Sequence, residues 1–306
     1  MTAVPEVTVV GSCNIDLVAS CLRLPLPGET VMCRDLATMV GGKGANQAIA
    51  AARAGAHCSL IAAVGTGAHS DQILAVLRSA GVGTALVRTV AGPPGTALIM
   101  VDEAGGNLIG VVPGANAALT DLNPPELEAV AGAGVLILQL EIPIRTVTEA
   151  ALAARSAATM VLLNAAPAQQ LAPELLEAVD LLVANQSEAA LLSGVIGDDL
   201  AAARRLLEWV PAAVVTLGAE GALYVARHGE PIRVAAPRVQ PVDTTGAGDT
   251  FTGVLGAALG ERLPVRAALE RACAAASIAV ESSGAATSIP DRAAIDARVR
   301  GAYGQP

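Results

Sequence analysis

Val242-Asp243-Thr244-Thr245-Gly246-Ala247-Gly248-Asp249-Thr250-Phe251-Thr252-Gly253 follows a β-like run at 233–239 and leads into an Ala/Leu-rich segment reaching about 259. The pattern predicts strand, tight turn and helix, with Gly246, Ala247 and Gly248 at the helix N-terminus. Backbone N–H groups at such an end have no intrahelical acceptor, and the helix dipole adds partial positive charge. Together they form an anion site, and small side chains let a phosphate come close to the backbone. Asp249 is the odd member. A carboxylate beside a phosphate is repulsive unless it takes the proton from a hydroxyl attacking that phosphate. The plainer alternative is that Asp249 caps the helix and the glycines turn the chain.

Outward from this stretch, apolar runs and helical patterns alternate. Strands are expected at 7–10, 58–64, 135–140, 160–164, 181–183 and near 214–217. Helices are expected near 45–54, 71–80, 120–130, 144–154, 173–178 and 267–280. This rhythm predicts β-α-β units in a three-layer α/β/α core with a mainly parallel sheet. Four short runs fall outside it. Two flank the turn Pro25-Leu26-Pro27-Gly28-Glu29-Thr30, and two, 96–101 and 107–112, are joined by Glu103-Ala104-Gly105-Gly106. They predict a small β-sheet built from about 13–40 and 95–112. With no repeat, low-complexity linker or further boundary, 1–306 reads as a single domain carrying that sheet.

The chain has 306 residues, 53% hydrophobic and 15% charged, enough to bury a large core. No apolar run is long and unbroken enough to span a bilayer, and no signal peptide is visible, so no membrane partner is expected. Five cysteines, an odd number without C-x-x-C, argue against a disulfide framework or zinc knuckle and point to a reducing cytoplasm. Cys13, Cys21 and Cys33 read as small buried hydrophobes. His57, His69 and His228 match no motif and read as surface or loop residues without partners. A net charge of −9 makes nucleic acid an unsuitable partner.

Among 19 Lys and Arg residues there is one lysine, Lys43, inside Gly41-Gly42-Lys43-Gly44-Ala45-Asn46-Gln47. The only phenylalanine, Phe251, lies in the opening stretch. A compact ammonium fits a tight polar pocket that a planar guanidinium would overfill. The string is not a P-loop, because Gly44 rather than Ser or Thr follows the lysine. Polar residues recur at strand ends, where α/β sheets gather ligands. Asn14 and Asp16, at i and i+2, point to one side of a continued strand and suit neighbouring sugar hydroxyls; a simple turn is the alternative. Asn185 and Glu188 in Asn185-Gln186-Ser187-Glu188 suit magnesium, which keeps several waters and takes oxygen ligands, or else cap the next helix.

With these motifs in this order, the chain resembles the ribokinase branch of the PfkB sugar-kinase family over essentially its whole length. The D-T-x-G-A-G-D signature is met at Asp243, Thr244, Thr245, Gly246, Ala247, Gly248 and Asp249, G-G-K-G-A-N-Q at 41–47, and N-x-x-E at Asn185 and Glu188. The resemblance implies ATP-dependent phosphorylation of D-ribose at its primary hydroxyl. Asp249 is then the general base, and Gly246, Ala247 and Gly248 the anion hole. Asn14, Asp16, Gly42, Lys43, Asn46 and Glu141 would bind the sugar together with Asp249. Asn185, Thr216, Gly218, Gly221 and Gly248 would face ATP, and Asn185 and Glu188 would hold Mg2+ through water. Asp243, Thr245, Ala279, Ser282, Gly284 and Ser288 would hold a monovalent cation, K+. The small sheet becomes a lid over the sugar and a homodimer contact. Ala165 and Ala184 replace usual prolines and Ser187 a usual threonine; Cys273, where Asn or His often touches adenine, leaves the base contacts unassigned. The alternatives are a kinase for another sugar or a nucleoside (deoxyribose, fructose), or a non-catalytic sugar-binding protein. Only Phe251, Tyr224, Tyr303 and Trp209 could stack on a nucleobase acceptor. A dehydrogenase fits poorly, since no G-x-G-x-x-G follows the first strand.

Overall fold

The computed structural model describes residues 4–304. In chain order, β1 (Glu6–Val10) is followed by β2 (Asn14–Cys21), β3 (Cys33–Gly41), α1 (Lys43–Arg53), β4 (His57–Val64), α2 (Ala68–Ser79) and β5 (Val87–Thr89). Then come β6 (Gly95–Val101), β7 (Asn107–Val112), α3 (Pro124–Gly132), β8 (Val135–Leu138), α4 (Ile144–Ser156), β9 (Met160–Asn164) and α5 (Pro173–Glu177). The chain continues through β10 (Leu181–Asn185), α6 (Gln186–Ser193), α7 (Asp199–Leu206), β11 (Ala212–Thr216), β12 (Ala222–Ala226) and β13 (Ile232–Val234). It closes with α8 (Ala247–Gly260), α9 (Val265–Ala279), α10 (Ala285–Ser288) and α11 (Arg292–Tyr303).

Nine strands form one sheet in the order β13-β12-β11-β10-β9-β8-β1-β4-β5, and four form a second, β3-β2-β6-β7. From β11 to β5 every pairing is parallel; β12 and β13 add an antiparallel edge. Strand alternation sorts the core into two layers. Val7, Val9 and Ile137 pack with Ile49 of α1, Val254 of α8 and Leu269 of α9. Val10, Leu136 and Leu138 pack on the other face with Val130 of α3, Val147 of α4 and Leu206 of α7. Covering both faces explains why these strands read as continuous apolar runs rather than alternating ones. The expected three-layer core with a separate small sheet is the observed architecture.

Three expectations are corrected. The run at 233–239 does not lead as a strand into a tight turn: β13 stops at Val234, and residues 235–246 are irregular before α8. Val234 pairs with Ala222, the first residue of β12, so the partner strand runs out there, and Pro237 and Pro241 beyond it have no N–H to extend a ladder. The loop carries the chain from the sheet edge to its centre, where α8 packs beside α1 and against β8 and β1. Second, Cys21 and Cys33 are joined by a disulfide with their Cα atoms 4.1 Å apart. They face each other across the β2–β3 pair, a register that cysteine counting does not reveal. Cys13 is free and buried, as expected for a small hydrophobe, and Cys58 and Cys273 are free and buried as well. Third, His57 has a partner: its Nδ1 lies 2.7 Å from Glu6 Oε2 across the β1–β4 pair.

Helix starts differ in a way that places the site. Asn123, Asn185, Asp198 and Asp291 cap α3, α6, α7 and α11 with their side chains. Helices α1 and α8 begin instead after Gly42 and Gly246, with no side-chain cap. In α1 the first-turn amides are taken up from outside the helix, Lys43 N by Glu141 Oε2 at 3.1 Å, Gly44 N by Ser12 Oγ at 3.3 Å and Ala45 N by Ser12 O at 2.8 Å. In α8, by contrast, the Ala247 amide goes to Thr244 O, and those of Gly248 and Asp249 face the start of the helix with no capping side chain.

Candidate active site

Asp249, in the first turn of α8, is buried at 7% exposure. Asn46 Nδ2 donates to its Oδ2 at 3.0 Å, and Gln47 Nε2 donates to its Oδ1 at 2.9 Å. The two donors are the fourth and fifth residues of α1, so the starts of α1 and α8 are joined through this carboxylate. A cleft of about 190 Å3 opens beside it, lined by Lys43, Asn164, Asn185, Glu188, Thr216, Gly246, Gly248, Asp249 and Thr252 among others. Larger hollows, one of about 510 Å3 beside Trp209, lie away from these residues. The small cleft is the better candidate because the titratable groups converge on it.

Lys43 is the one cation in a ring of carboxylates. Burial draws its ammonium down, but Asp249, Glu141, Glu188 and Asp16 outweigh that and leave it more strongly protonated than usual. Glu188 is pushed up, chiefly by burial and further by Asp249, against the Asn185 N–H and Lys43. Asp16 is pushed up to about 6 by burial, then by Glu141 and Asp249, with Lys43 opposing. Four carboxylates around one ammonium make a centre that accepts anionic phosphates only with additional cations.

Asn14 and Asp16 open β2 and are both buried. Asn14 Oδ1 accepts from Asn116 Nδ2 at 2.7 Å, and Asn116 Oδ1 accepts from Cys13 N at 2.9 Å, which locks the amide of Asn14. Glu141 Oε2 accepts from Ser12 Oγ at 2.5 Å and from the Lys43 amide at 3.1 Å, tying the start of α1 to the end of β8. Gly42 has φ 91°, and a Cβ there would lie 2.7 Å from the Asn14 amide nitrogen, so this close approach requires glycine.

On the other side of the cleft, Asn185 and Glu188 form a reciprocal capping box: Asn185 Oδ1 accepts the Glu188 amide and Glu188 Oε2 the Asn185 amide, each at 2.8 Å. The capping role holds, and the same two residues line the cleft. Thr216 lines it from the end of β11. Gly218 and Gly221 do not; a Cβ on Gly221 would lie 2.0 Å from Val234 O, so that residue lets the β11–β12 turn pack against the end of β13. At the phosphate end, the Ala247 amide is used by Thr244 O at 3.3 Å, while Gly246 and Gly248 line the cleft.

The stretches proposed for a monovalent cation do meet. Asp243 Oδ2 accepts from Gly284 N at 2.8 Å and Oδ1 from Thr245 N at 2.9 Å. Burial raises the Asp243 carboxyl, but these N–H groups and the Thr245 side chain win, so it lies below its usual range. Val280 O, beside Ala279, accepts the Asp243 amide at 3.2 Å, and Ser288 Oγ donates to Ala285 O at 3.0 Å. Ser282 is exposed. Among the described residues no cluster of three or more His, Cys, Asp or Glu could hold a metal ion by itself. None of the described helices is long and apolar enough to cross a membrane.

Sequence reasoning missed Gln47, Asn164, Asn116 and Ser12 as parts of this site. Gln47 sits inside the quoted 41–47 string and could have been flagged there, whereas Asn116 lies on no motif.

The family described as pfkB family carbohydrate kinase matches residues 4–292. The chain is similar to the ribokinase of Haemophilus influenzae, 37% identical over 292 residues that cover 93% of this chain and 95% of that protein. It is similar to the ribokinase of Bacillus subtilis as well, 38% identical over 291 residues, covering 94% and 97%. Among solved structures, Arabidopsis thaliana ribokinase complexed with ribose and ATP superposes with a TM-score of 0.91 at 33% identity, covering 97% of this chain and 99% of that one. A Burkholderia thailandensis nucleoside kinase, at 20% identity and a TM-score of 0.83, shares the fold. On this match, which runs through every motif of the cleft, the chain belongs to the pfkB family of carbohydrate kinases.

Proposed function

We propose that this chain transfers the terminal phosphoryl group of ATP to the primary hydroxyl of D-ribose, giving ribose 5-phosphate and ADP. The observation that carries the reading is Asp249: a buried carboxylate in the first turn of an uncapped helix, lining a cleft with Gly246, Gly248 and Lys43. Asp249 takes the proton of the sugar hydroxyl as its oxygen bonds to the γ-phosphorus, the bond from phosphorus to the ADP oxygen breaks, and ADP leaves. Open amides at the start of α8 stabilise charge on the transferring group. On the sugar side, Asn46 Oδ1 is buried without a hydrogen-bond partner, which suits it to accept a sugar hydroxyl. Asn14, Asp16, Gly42, Lys43 and Glu141 complete that side.

ATP would lie toward Thr216 and the α8 start. Magnesium, when bound to the phosphates, supplies charge neutralisation; Asn185 and Glu188, whose remaining oxygen lone pairs border the cleft, would hold it through water. A potassium ion fits the loop closed by Asp243, Thr245 and Gly284, whose carboxylate stays anionic, with Ala279, Ser282 and Ser288 nearby in sequence. The acidic centre gives both cations an electrostatic reason to be present. We place the reaction in the cytoplasm, and the small sheet as a lid over the sugar and the contact of a homodimer.

The test is ADP release with ribose, 2-deoxyribose, fructose and nucleosides, with and without potassium. Ribose is expected to give the highest kcat/KM, and turnover is expected to rise with potassium. Asp249→Asn should keep the fold and ribose binding while kcat falls by about 10²–10⁴. Near-native turnover in that variant removes Asp249 from the role of base, and ribose binding without ADP release in the native protein would leave a sugar-binding protein.

A further inference from the structure

Gln47 is fully buried in the first turns of α1, and both hydrogens of its amide are used. Nε2 donates to Asp249 Oδ1 at 2.9 Å and to Asn164 Oδ1 at 3.0 Å. Asn164, at the end of β9, in turn donates through Nδ2 to Val183 O at 3.2 Å. The direction of this chain is fixed from its far end. A backbone carbonyl can only accept, so Asn164 must turn its NH2 to Val183 and its oxygen to Gln47. Gln47 must then present its NH2, and Asp249 Oδ1 must receive an N–H. The other end of the Gln47 amide, Oε1, is buried and has no partner. A methionine of similar length would fill the same space without burying an unpartnered oxygen, so packing alone does not favour glutamine here.

Asn46 holds the other oxygen of Asp249 but keeps a free buried acceptor, Oδ1, for an incoming hydroxyl. Gln47 has a free buried acceptor too, Oε1, so what sets it apart is where its amide hydrogens go. Its hydrogens go to the base and to a strand end, and Val183 is two residues before Asn185, at the edge of the phosphate side. We propose that Gln47 is a positioning residue for the proposed base: it clamps Asp249 Oδ1 to the β9–β10 strand ends and so fixes the carboxylate between sugar and phosphate. This rests on the reading of Asp249 given above. The role differs from sugar binding because it acts only on the geometry of proton removal, and misplacement of a reacting group lowers turnover without weakening substrate binding.

The experiment measures kcat and the KM for ribose in the full chain for Gln47→Met, Asn164→Ala and Asp249→Asn, with thermal unfolding of each. Gln47→Met is expected to lower kcat by about 10- to 100-fold with KM for ribose within about threefold of native. Asn164→Ala, which leaves Gln47 present but unpinned, should give a smaller loss in the same direction. If Gln47→Met does not fold, Gln47→Asn, which keeps the amide but shortens its reach, must show the same split. Native kcat in a folded Gln47→Met while Asp249→Asn loses turnover overturns the clamp and leaves the base in place. A raised KM with unchanged kcat overturns it in favour of sugar binding, and a loss of activity matching the loss of folded protein overturns it in favour of packing. Near-native turnover in Asp249→Asn is a separate failure, that of the base itself.

Discussion

Asp16 shows how a single buried side chain in this site can cost stability. Its folded-state value of about 6 lies above the ordinary 3.8, because burial and the carboxylates of Glu141 and Asp249 outweigh Lys43. A carboxyl that binds its proton more tightly when folded contributes stability that is complete below about pH 4 and is lost as pH rises through about 6. At neutral pH, keeping Asp16 charged therefore costs the folded state about 3 kcal/mol, taking 1.36 kcal/mol per pH unit. Asp16→Asn should accordingly unfold at higher urea concentration than native protein at pH 7 and at nearly the same concentration at pH 4. In the proposed sugar-binding role of Asp16, the charge that costs stability is the form that would accept a sugar hydroxyl most strongly. The KM for ribose should thus rise as pH falls from 7 to 5 in the native chain and stay high and flat in Asp16→Asn. A native KM independent of pH over that range would mean that Asp16 does not meet the sugar as an anion. Lys43 is part of the same balance: as the only ammonium among four carboxylates, it holds Asp16 lower than burial alone would.

Elements explain which parts of the molecule can be read directly. Strands buried on both faces announce themselves as apolar runs, so β9 is legible to the residue and most other core elements to within a few positions. Asn14, Asp16, Lys43 and Asp249 are legible because chemistry demands particular groups at fixed spacings within one segment. Gln47 stands in the same string as Lys43, but its partners cannot be read there, because they are Asp249, 202 positions away, and Asn164, 117 away. The end of β13 is misread because Val239 looks like strand, while its partner β12 has already run out opposite Val234 and Pro237 and Pro241 lack the N–H to pair further. Cys21 and Cys33 are misread because only the register of β2 on β3 brings them face to face. That bridge closes a loop with a sequence separation of 12, for which chain entropy gives about 3 kcal/mol. Reduction should lower the urea midpoint of the native chain but leave that of Cys21→Ala/Cys33→Ala unchanged. Cys21 lies about 17 Å along β2 from Asp16 at the usual rise per residue, so the KM for ribose should change less than twofold on reduction. A tenfold rise in KM would instead make the far end of the hairpin part of the sugar site.

Among the described residues the small sheet exposes apolar side chains on both faces, Leu36, Leu98, Leu108 and Val112 on one and Ile109 and Val111 on the other, without an evident reason inside a single chain. The small sheet has β7 at its edge, and all six residues of that strand are exposed, among them Ile109, Val111 and Val112. Ile109 pairs with Ile99 and Val111 with Ala97, and Ala97 pairs in turn with Asp16. Residues in register across a sheet share a face, so the exposed apolar row of Ile109 and Val111 continues the face that carries Asp16. An unpaired edge with apolar side chains invites another chain unless it is covered. A second copy of the sheet laid on this face would cover the row and close over the sugar side together. The proposed homodimer therefore joins assembly to substrate binding. Ile109→Asp should convert a dimer seen by sedimentation velocity at micromolar concentration to a monomer, with thermal unfolding little changed, because the side chain buries little within one chain. The same variant should raise the KM for ribose several-fold while the KM for ATP holds, since Thr216, Asn185 and the start of α8 lie in the main layers rather than the small sheet. A native chain that sediments as a monomer, or an Ile109→Asp dimer with native KM, would detach this surface from both roles.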